Sequence, residues 1–107
     1  MATFYQNSDL FYKYKVKIKS GAHSEGDIVG VEFTLGNIQK KYPSNEVEKV
    51  ADGEYVIRFT QADTLNLGAG VVETQARLVF RNGNVVPTKT AYADVKRTLS
   101  NKILGVE

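Results

Sequence analysis

The chain has 107 residues, no cysteine, and 14 Lys and Arg against 12 Asp and Glu, which gives a net charge of +2. This length predicts one domain over residues 1–107, with enough buried surface to fold without a metal or a disulfide. The absence of cysteine excludes disulfides, thiolate chemistry and Cys-based zinc sites. The small net charge gives no electrostatic footprint for nucleic acid. No apolar run reaches the roughly 18 residues of a membrane-spanning helix.

The N-terminal part of the chain predicts strands. Six Tyr and five Phe, together with many Val and Thr, favour β-structure. Residues 3–6 are a short aromatic opening, which we predict to be either a first edge strand or an arm onto a neighbour. Residues 12–19 alternate strictly and predict a half-buried strand. One face carries Tyr12, Tyr14, Val16 and Ile18, and the other carries Lys13, Lys15, Lys17 and Lys19.

The lysine row of this strand has two interpretations. Four cations on one face can follow a phosphate backbone, or they can keep a solvent-facing sheet soluble and discourage edge-to-edge pairing. No aromatic residue interleaves on the lysine face, so the stacking surface of a single-strand binder is missing. We therefore favour the second interpretation and expect no nucleic-acid partner. Because no apolar run is long enough to span a bilayer, we also expect no membrane partner.

Three shorter segments follow. Residues 27–34 alternate again and predict a strand, whose inward residues are Val29, Val31 and Phe33. Residues 38–42 predict a short strand, whereas residues 46–50 fit either a short strand or one helical turn. Residues 51–53, Ala-Asp-Gly, predict a tight turn.

The segment from residue 54 to residue 80 indicates the fold most firmly. Residues 54–60 predict a strand with one face formed by Tyr55, Ile57 and Phe59. A corner at residues 61–70 leads into a long strand at residues 71–80. The inward residues of that strand are Val72, Thr74, Ala76, Leu78 and Phe80.

The corner itself contains residues that fix backbone geometry. We predict that the Asp63 carboxylate, in the Asp63-Thr64 pair, accepts backbone N–H bonds within the corner. Gly68 and Gly70 are predicted to supply positive φ. This role is structural.

The last strands are predicted around a hairpin. Asn82-Gly83 lies between two alternating runs and predicts a two-residue type I′ turn, because both residues tolerate positive φ. Pro87 cannot donate to a β-ladder, so the strand that follows the turn is expected to have an edge or a bulge there. Residues 88–95 are predicted to continue this strand, with inward residues Ala91, Ala93 and Val95.

Residues 96–107 form a mixed C-terminal tail. The tail carries the apolar residues Leu99, Ile103 and Leu104. We predict a last strand, a short helix or an arm that docks on a partner. The residues that we expect to contact such a partner are Phe4, Tyr5, Leu99, Ile103 and Leu104.

The sequence offers no catalytic constellation. His23, the single histidine, lies in a Gly/Ser loop, where a solvated side chain is expected. Without a second His or a Cys, the usual transition-metal sites and Ser/His or Cys/His nucleophile systems cannot be assembled. The acidic residues lie mostly in turns or at outward positions, and nothing selects a pair for glycoside hydrolysis. We expect no cofactor and no enzymatic activity.

About seven short strands at intervals of 8–12 residues predict an all-β protein, an antiparallel β-sandwich. The stretch Phe59-Thr-Gln-Ala-Asp-Thr-Leu-Asn-Leu-Gly-Ala-Gly70, followed by Gln75-Ala-Arg-Leu-Val-Phe80 and Asn82-Gly83, resembles the E–F corner and F–G hairpin of an immunoglobulin-like domain. More narrowly, it resembles the small Ig-like domains of tailed-phage virion proteins, such as the N-terminal domain of siphophage baseplate upper proteins, and short phage or prophage proteins of gut Bacteroidetes. The chain departs from antibody-type domains in lacking a Cys pair and a core Trp, and Val72 stands where a corner often carries Tyr.

The resemblance implies a non-enzymatic structural or assembly module of a bacteriophage or prophage particle. Its partners would be other virion proteins or further copies of itself, and it would be made in the cytoplasm of the bacterial host before entering the virion. The alternative is a carbohydrate-binding β-sandwich, because sandwiches often present tyrosines on one face. Its weakness is that Tyr12, Tyr14 and Tyr55 alternate in step with core positions, which leaves Tyr5, Tyr42 and Tyr92 as candidates for exposed ligand-binding tyrosines.

Overall fold

The computed structural model describes residues 2–18, 23–100, 102 and 104, and this part of the chain is nearly all β-structure. The strands are β1 (Ala2–Tyr5), β2 (Leu10–Lys15), β3 (Ile28–Leu35), β4 (Ile38–Tyr42), β5 (Val47–Ala51), β6 (Glu54–Phe59), β7 (Gly70–Phe80), β8 (Val85–Pro87) and β9 (Ala91–Lys96). A short helix, α1 (Gln61–Leu65), lies between β6 and β7, and one 3-10 turn (Glu25–Asp27) precedes β3.

The strands form two sheets that pack around one core. The larger sheet has the order β1-β9-β7-β3-β4, with β8 also paired to β7, and the smaller sheet has the order β2-β6-β5. The predicted all-β sandwich is confirmed. There are nine strands in the described residues instead of about seven, because the aromatic opening and residues 46–50 both form strands and the last predicted strand is split. One pairing departs from the antiparallel prediction, since β1 runs parallel to β9.

The alternation predicted for the two central strands is confirmed. Tyr55, Ile57 and Phe59 of β6 are 1%, 0% and 0% exposed, and in β7 Ala76, Leu78 and Phe80 are buried whereas Arg77 is exposed and Val79 is half-buried. Aromatic rings link the two sheets: the Phe33 centroid lies 5.2 Å from Tyr14 and 6.4 Å from Phe59. Burial of these large side chains supplies the main stabilisation of the sandwich.

The prediction that Val29 faces inward is wrong. Val29 is 45% exposed, whereas both Ile28 and Val31 are buried. The ladder between β3 and β7 shifts register between Ile28 and Gly30. Such a β-bulge inserts one extra residue into a strand and reverses the inward–outward alternation beyond it.

The last predicted strand is interrupted, and one of its predicted inward residues, Ala91, is exposed. β8 pairs with residues 77–79 of β7 and β9 pairs with residues 70–74, so the two lie end to end along the same edge. Between β8 and β9, Thr88 forms the hydrogen bonds to the backbone of Ala76. The Thr88 N–H donates to the Ala76 carbonyl at 2.8 Å, and the Thr88 Oγ1 accepts from the Ala76 N–H at 3.0 Å.

The hairpin after β7 is not the predicted two-residue type I′ turn. The Gly83 N–H donates to the Phe80 carbonyl and the Phe80 N–H donates to the Asn84 carbonyl, at 2.8 and 2.9 Å. The loop therefore contains three residues, 81–83, and positive φ occurs at Gly83 (91°) but not at Asn82. A three-residue loop of this kind needs the left-handed conformation only at its last position.

The strand with the lysine row is shorter than predicted. β2 ends at Lys15, although residues 16–18 keep the same alternation of half-buried and exposed side chains. Lys19, the last predicted residue of this strand, lies outside the described residues.

The bulge in β3 gives a matched pair of substitutions. We expect Val31→Ala to lower the free energy of unfolding by about 2 kcal/mol, because it removes two buried methyl groups and leaves a cavity. We expect Val29→Ala to change it by less than about 0.5 kcal/mol, because this side chain is largely solvated. Urea titrations of both variants measure the difference, and equal effects would contradict the bulge.

Candidate assembly surface at the corner

The corner between β6 and β7 contains a short helix that the sequence analysis missed. Thr60 caps α1: its Oγ1 accepts from the Asp63 N–H at 3.2 Å, and the Asp63 Oδ2 accepts from the Thr60 N–H at 2.9 Å. This reciprocal capping box follows the Thr-x-x-Asp spacing of Thr60 and Asp63, which is a helix-start signal readable in the sequence. Asp63 thus accepts one backbone N–H, that of Thr60 directly before the corner. Gly70 has φ of 105°, whereas Gly68 does not have positive φ.

Two side chains join the corner to the turn between β1 and β2. Thr64 is fully buried, and its Oγ1 accepts from the Ser8 N–H and donates to the Ser8 carbonyl, both at 2.8 Å. The Asp9 Oδ1 accepts from the Gln61 N–H at 2.8 Å. Since the first N–H groups of a helix have no partner within it, Asp9 both satisfies one of these groups and holds the helix against β2.

A buried lysine connects the corner to both sheets. Lys40 of β4 is 4% exposed, and its Nζ lies 2.8 Å from the Asp63 Oδ2 and also contacts the Glu46 carboxylate just before β5. The same ammonium lies 5.7 Å from the centroid of the Phe59 ring. Because an unpaired buried charge is costly, these two carboxylates are needed for Lys40 to occupy an inward position.

The pKa values of this cluster shift in the directions expected for ion pairs. Burial alone would lower the pKa of Lys40, but hydrogen bonds to Asp63 and Glu46 outweigh burial and raise that pKa above its usual 10.5. Burial alone would raise the pKa of Asp63, but the Lys40 ammonium and the Thr60 N–H outweigh it and lower that pKa below its usual 3.8. Both groups are therefore charged at neutral pH.

The C-terminal segment (residues 97–100, 102 and 104 as described) lies against the same corner. The Thr98 Oγ1 donates to the Gln6 carbonyl at 2.6 Å, and the Asn7 Nδ2 donates to the carbonyls of Ser100 and Lys102 at 3.1 and 2.7 Å. Gln61 bonds both backbone groups of Leu104: its Nε2 donates to the Leu104 carbonyl at 2.8 Å and its Oε1 accepts from the Leu104 N–H at 2.9 Å.

These contacts hold the backbone of the C-terminal segment while its leucine side chains face solvent. Leu99 is 97% exposed and Leu104 is 74% exposed. Tyr5, at the adjacent end of β1, is 58% exposed. Of the other predicted partner contacts, Phe4 is buried in the core at 2% exposure and is not available to a partner, and Ile103 lies outside the described residues.

The remaining predicted site residues lie elsewhere. The turn residues Asn82 and Gly83 follow the end of β7, whereas the corner precedes its start. An 11-residue strand spans about 33 Å, so the turn and the corner cannot share a site. Near the turn, the His23 ring stacks on Phe80 with centroids 4.1 Å apart.

Residues 2–18, 23–100, 102 and 104 contain no group of three or more His, Asp or Glu placed to hold a metal ion. No helix among those residues has both the length and the apolar character needed to cross a membrane. No family model matches the sequence, and a search of curated proteins found no match.

The Lys40 cluster makes a prediction with a pH signature. We expect Lys40→Met to lower the free energy of unfolding by about 2–3 kcal/mol at neutral pH, because Asp63 and Glu46 lose their cation. The control is Lys41→Met, at the exposed neighbouring lysine, and it should change the free energy of unfolding by less than about 0.5 kcal/mol.

The pH dependence of the Lys40→Met effect separates charge pairing from packing. Because the pKa of Asp63 is lowered in the folded state, the contribution of Asp63 to the free energy of unfolding is present above about pH 4 and is lost as the pH falls further. Because the pKa of Lys40 is raised in the folded state, the contribution of Lys40 to the free energy of unfolding is present below about pH 10.5 and is lost as the pH rises further. Denaturation across this range should therefore show the wild-type advantage shrinking at both extremes, and a constant difference would show that packing alone is responsible.

The contact between Gln61 and Leu104 makes a second prediction. We expect Gln61→Ala to accelerate hydrogen exchange at the Leu104 amide by about fivefold or more, because a hydrogen bond of about 1 kcal/mol is lost. Asn66→Ala, at an exposed amide of the same corner, is the control and should leave that exchange rate unchanged. Unchanged exchange in both variants would show that Gln61 does not hold the C-terminal segment.

Proposed function

We propose that this protein is a non-enzymatic assembly module, which binds a neighbouring subunit through the C-terminal segment. The observation that carries the proposal is the outward position of Leu99 and Leu104 on a backbone that Asn7 and Gln61 hold in place. A leucine left in water gains about 1.5–3 kcal/mol when a partner buries it. Two leucines on a segment held by these hydrogen bonds therefore favour association, and less conformational entropy is lost on binding than from a free tail.

The strand order supports an immunoglobulin-like assignment of the sandwich. β2, β6 and β5 lie in the order B-E-D of an immunoglobulin domain, and β9, β7 and β3 lie in the order G-F-C. β4 then corresponds to the C′ strand of variable-type domains. Together with the resemblance at the corner and hairpin, this order supports a role as a structural module of a bacteriophage or prophage particle, whose partner is another virion protein or a second copy.

Light scattering over a concentration series tests the assembly role. We expect the full chain to form a defined oligomer, and both truncation after Lys96 and the double variant Leu99→Ser, Leu104→Ser to shift it to monomer. The control is Val85→Ser, an exposed apolar residue (53%) that lies on β8, outside the C-terminal segment. A full chain that stays monomeric at high concentration and also binds no virion component would refute the proposal.

Exposed tyrosines favour a second candidate function, carbohydrate binding. Tyr5 and Tyr92 are 58% and 53% exposed on the larger sheet, whereas Tyr42 packs against Tyr55 with ring centroids 5.4 Å apart. If this candidate is correct, a glycan array should give a ligand whose binding Tyr92→Ala reduces by tenfold or more, about 1.4 kcal/mol. Phe11→Ala, on the other sheet, is the control, and an array without a hit argues against carbohydrate binding.

A further inference from the structure

One edge of β2 is open. β2 pairs with β6, and no other strand of the described residues pairs with it. β1, the preceding strand, pairs with β9 in the other sheet and leaves this edge uncovered. The Val16 N–H donates to the Gly53 carbonyl on the β6 side at 2.8 Å. Because successive N–H groups of a strand point to opposite sides, those of Phe11, Lys13 and Lys15 point to the open edge.

A cavity of about 280 Å³ lies beside this edge, between the two sheets. Phe33 and Tyr14 form its apolar part, and Gln75 and Thr88 line its polar side. The cavity coincides with the break between β8 and β9, where the bonds of Thr88 to Ala76 replace a continuous ladder. An unpaired strand edge beside a side-chain pocket is the arrangement that binds extended peptides, because the edge supplies main-chain hydrogen bonds and the pocket supplies specificity.

The charges around the edge and cavity are mostly positive. Lys15, Lys17 and Lys89 line the cavity, and none of its described lining residues is acidic. Lys13 lies on the same outer face of β2 as Lys15. One carboxylate is close, since Glu54 lies 3.4 Å from the Lys15 Nζ, but both side chains of that pair are well exposed and hold each other weakly. The remaining cations therefore favour an acidic partner.

We propose that the open edge of β2 binds an extended segment of a partner protein in which acidic and apolar residues alternate. Added beside β2, such a segment extends the smaller sheet to four strands. Its side chains point alternately to the two faces. The acidic ones then lie beside Lys13 and Lys15 on the outer face, while the apolar ones point between the sheets, toward Tyr14 and Phe33. This surface is separate from Leu99 and Leu104 and does not depend on the assembly role.

A labelled peptide tests the proposal by fluorescence anisotropy. The probe is a capped strand of about six residues with alternating Glu and Val, and the comparison peptide carries Lys in place of Glu. We expect the Glu peptide to bind, the Lys peptide to bind at least about tenfold more weakly, and added salt to weaken the Glu peptide. Equal binding of the two peptides, or binding of neither, would overturn the proposal.

Protein variants locate the binding site. Lys13→Glu with Lys15→Glu should weaken the Glu peptide by about tenfold or more, because attractive cross-strand pairs become repulsive. The control is Lys41→Glu with Arg81→Glu, which changes the net charge by the same amount as the first double variant. Because Lys41 lies on the larger sheet and Arg81 lies at the β7–β8 hairpin, this control should leave binding unchanged. Equal loss in both double variants would mean that only net charge is recognised, which contradicts a site at β2.

Backbone pairing is tested separately from charge. A Glu peptide N-methylated at alternate residues, on the side that faces β2, keeps its charge but cannot donate to the β2 edge, and it should lose binding. Hydrogen exchange should slow at the amides of Phe11, Lys13 and Lys15 when the unmodified peptide is added, while those of Tyr12 and Tyr14 stay as they are. Full binding by the N-methylated peptide, or protection elsewhere in the chain, would show that no strand is added at this edge.

Discussion

The ammonium group of Lys40 connects the parts of this structure that are separate in the chain. It belongs to β4 in the larger sheet, and its two carboxylate partners come from the corner helix and from the residue before β5 in the smaller sheet. Hydrophobic burial alone is not directional, so it favours contact between two sheets without fixing their alignment. A buried cation that must meet two carboxylates allows few relative positions, and Lys40 therefore acts as a constraint on how the sheets and the corner fit together.

The corner also holds two segments that lie near opposite ends of the chain, again through polar contacts. Its polar groups bond the turn between β1 and β2 through Ser8 and Asp9, and they bond the C-terminal segment through Gln61. Each contact joins a side chain of the helix or the turn to backbone groups that no sheet ladder reaches, in the turn, at the start of the helix or in the C-terminal segment. The consequence is an ordered path for a segment whose leucines face outward, and this arrangement supports the proposed assembly role.

The two proposed binding surfaces lie at opposite ends of β2. The corner contacts the residues that precede this strand, whereas the cavity is lined by residues at its far end. The two proposed surfaces are different patches, so binding at one leaves the other free for a second neighbour. The two proposals together therefore describe a chain that contacts one neighbour through Leu99 and Leu104 and another through the edge of β2.

The sequence by itself determined the class of fold and which side chains of β6 and β7 point into the core. The alternation in β6 and β7 is local, with a period of two, and burial of one face follows from it directly. The Thr60–Asp63 spacing also encodes the helix start, because a capping box is a local signal. Tertiary structure decided the rest. The bulge that exposes Val29, the parallel pairing of β1 with β9, the burial of Lys40 and the outward position of Leu99 and Leu104 all depend on partners distant in the chain. No local pattern encodes them, because a lysine or a leucine has the same propensities whether its partner is present or absent.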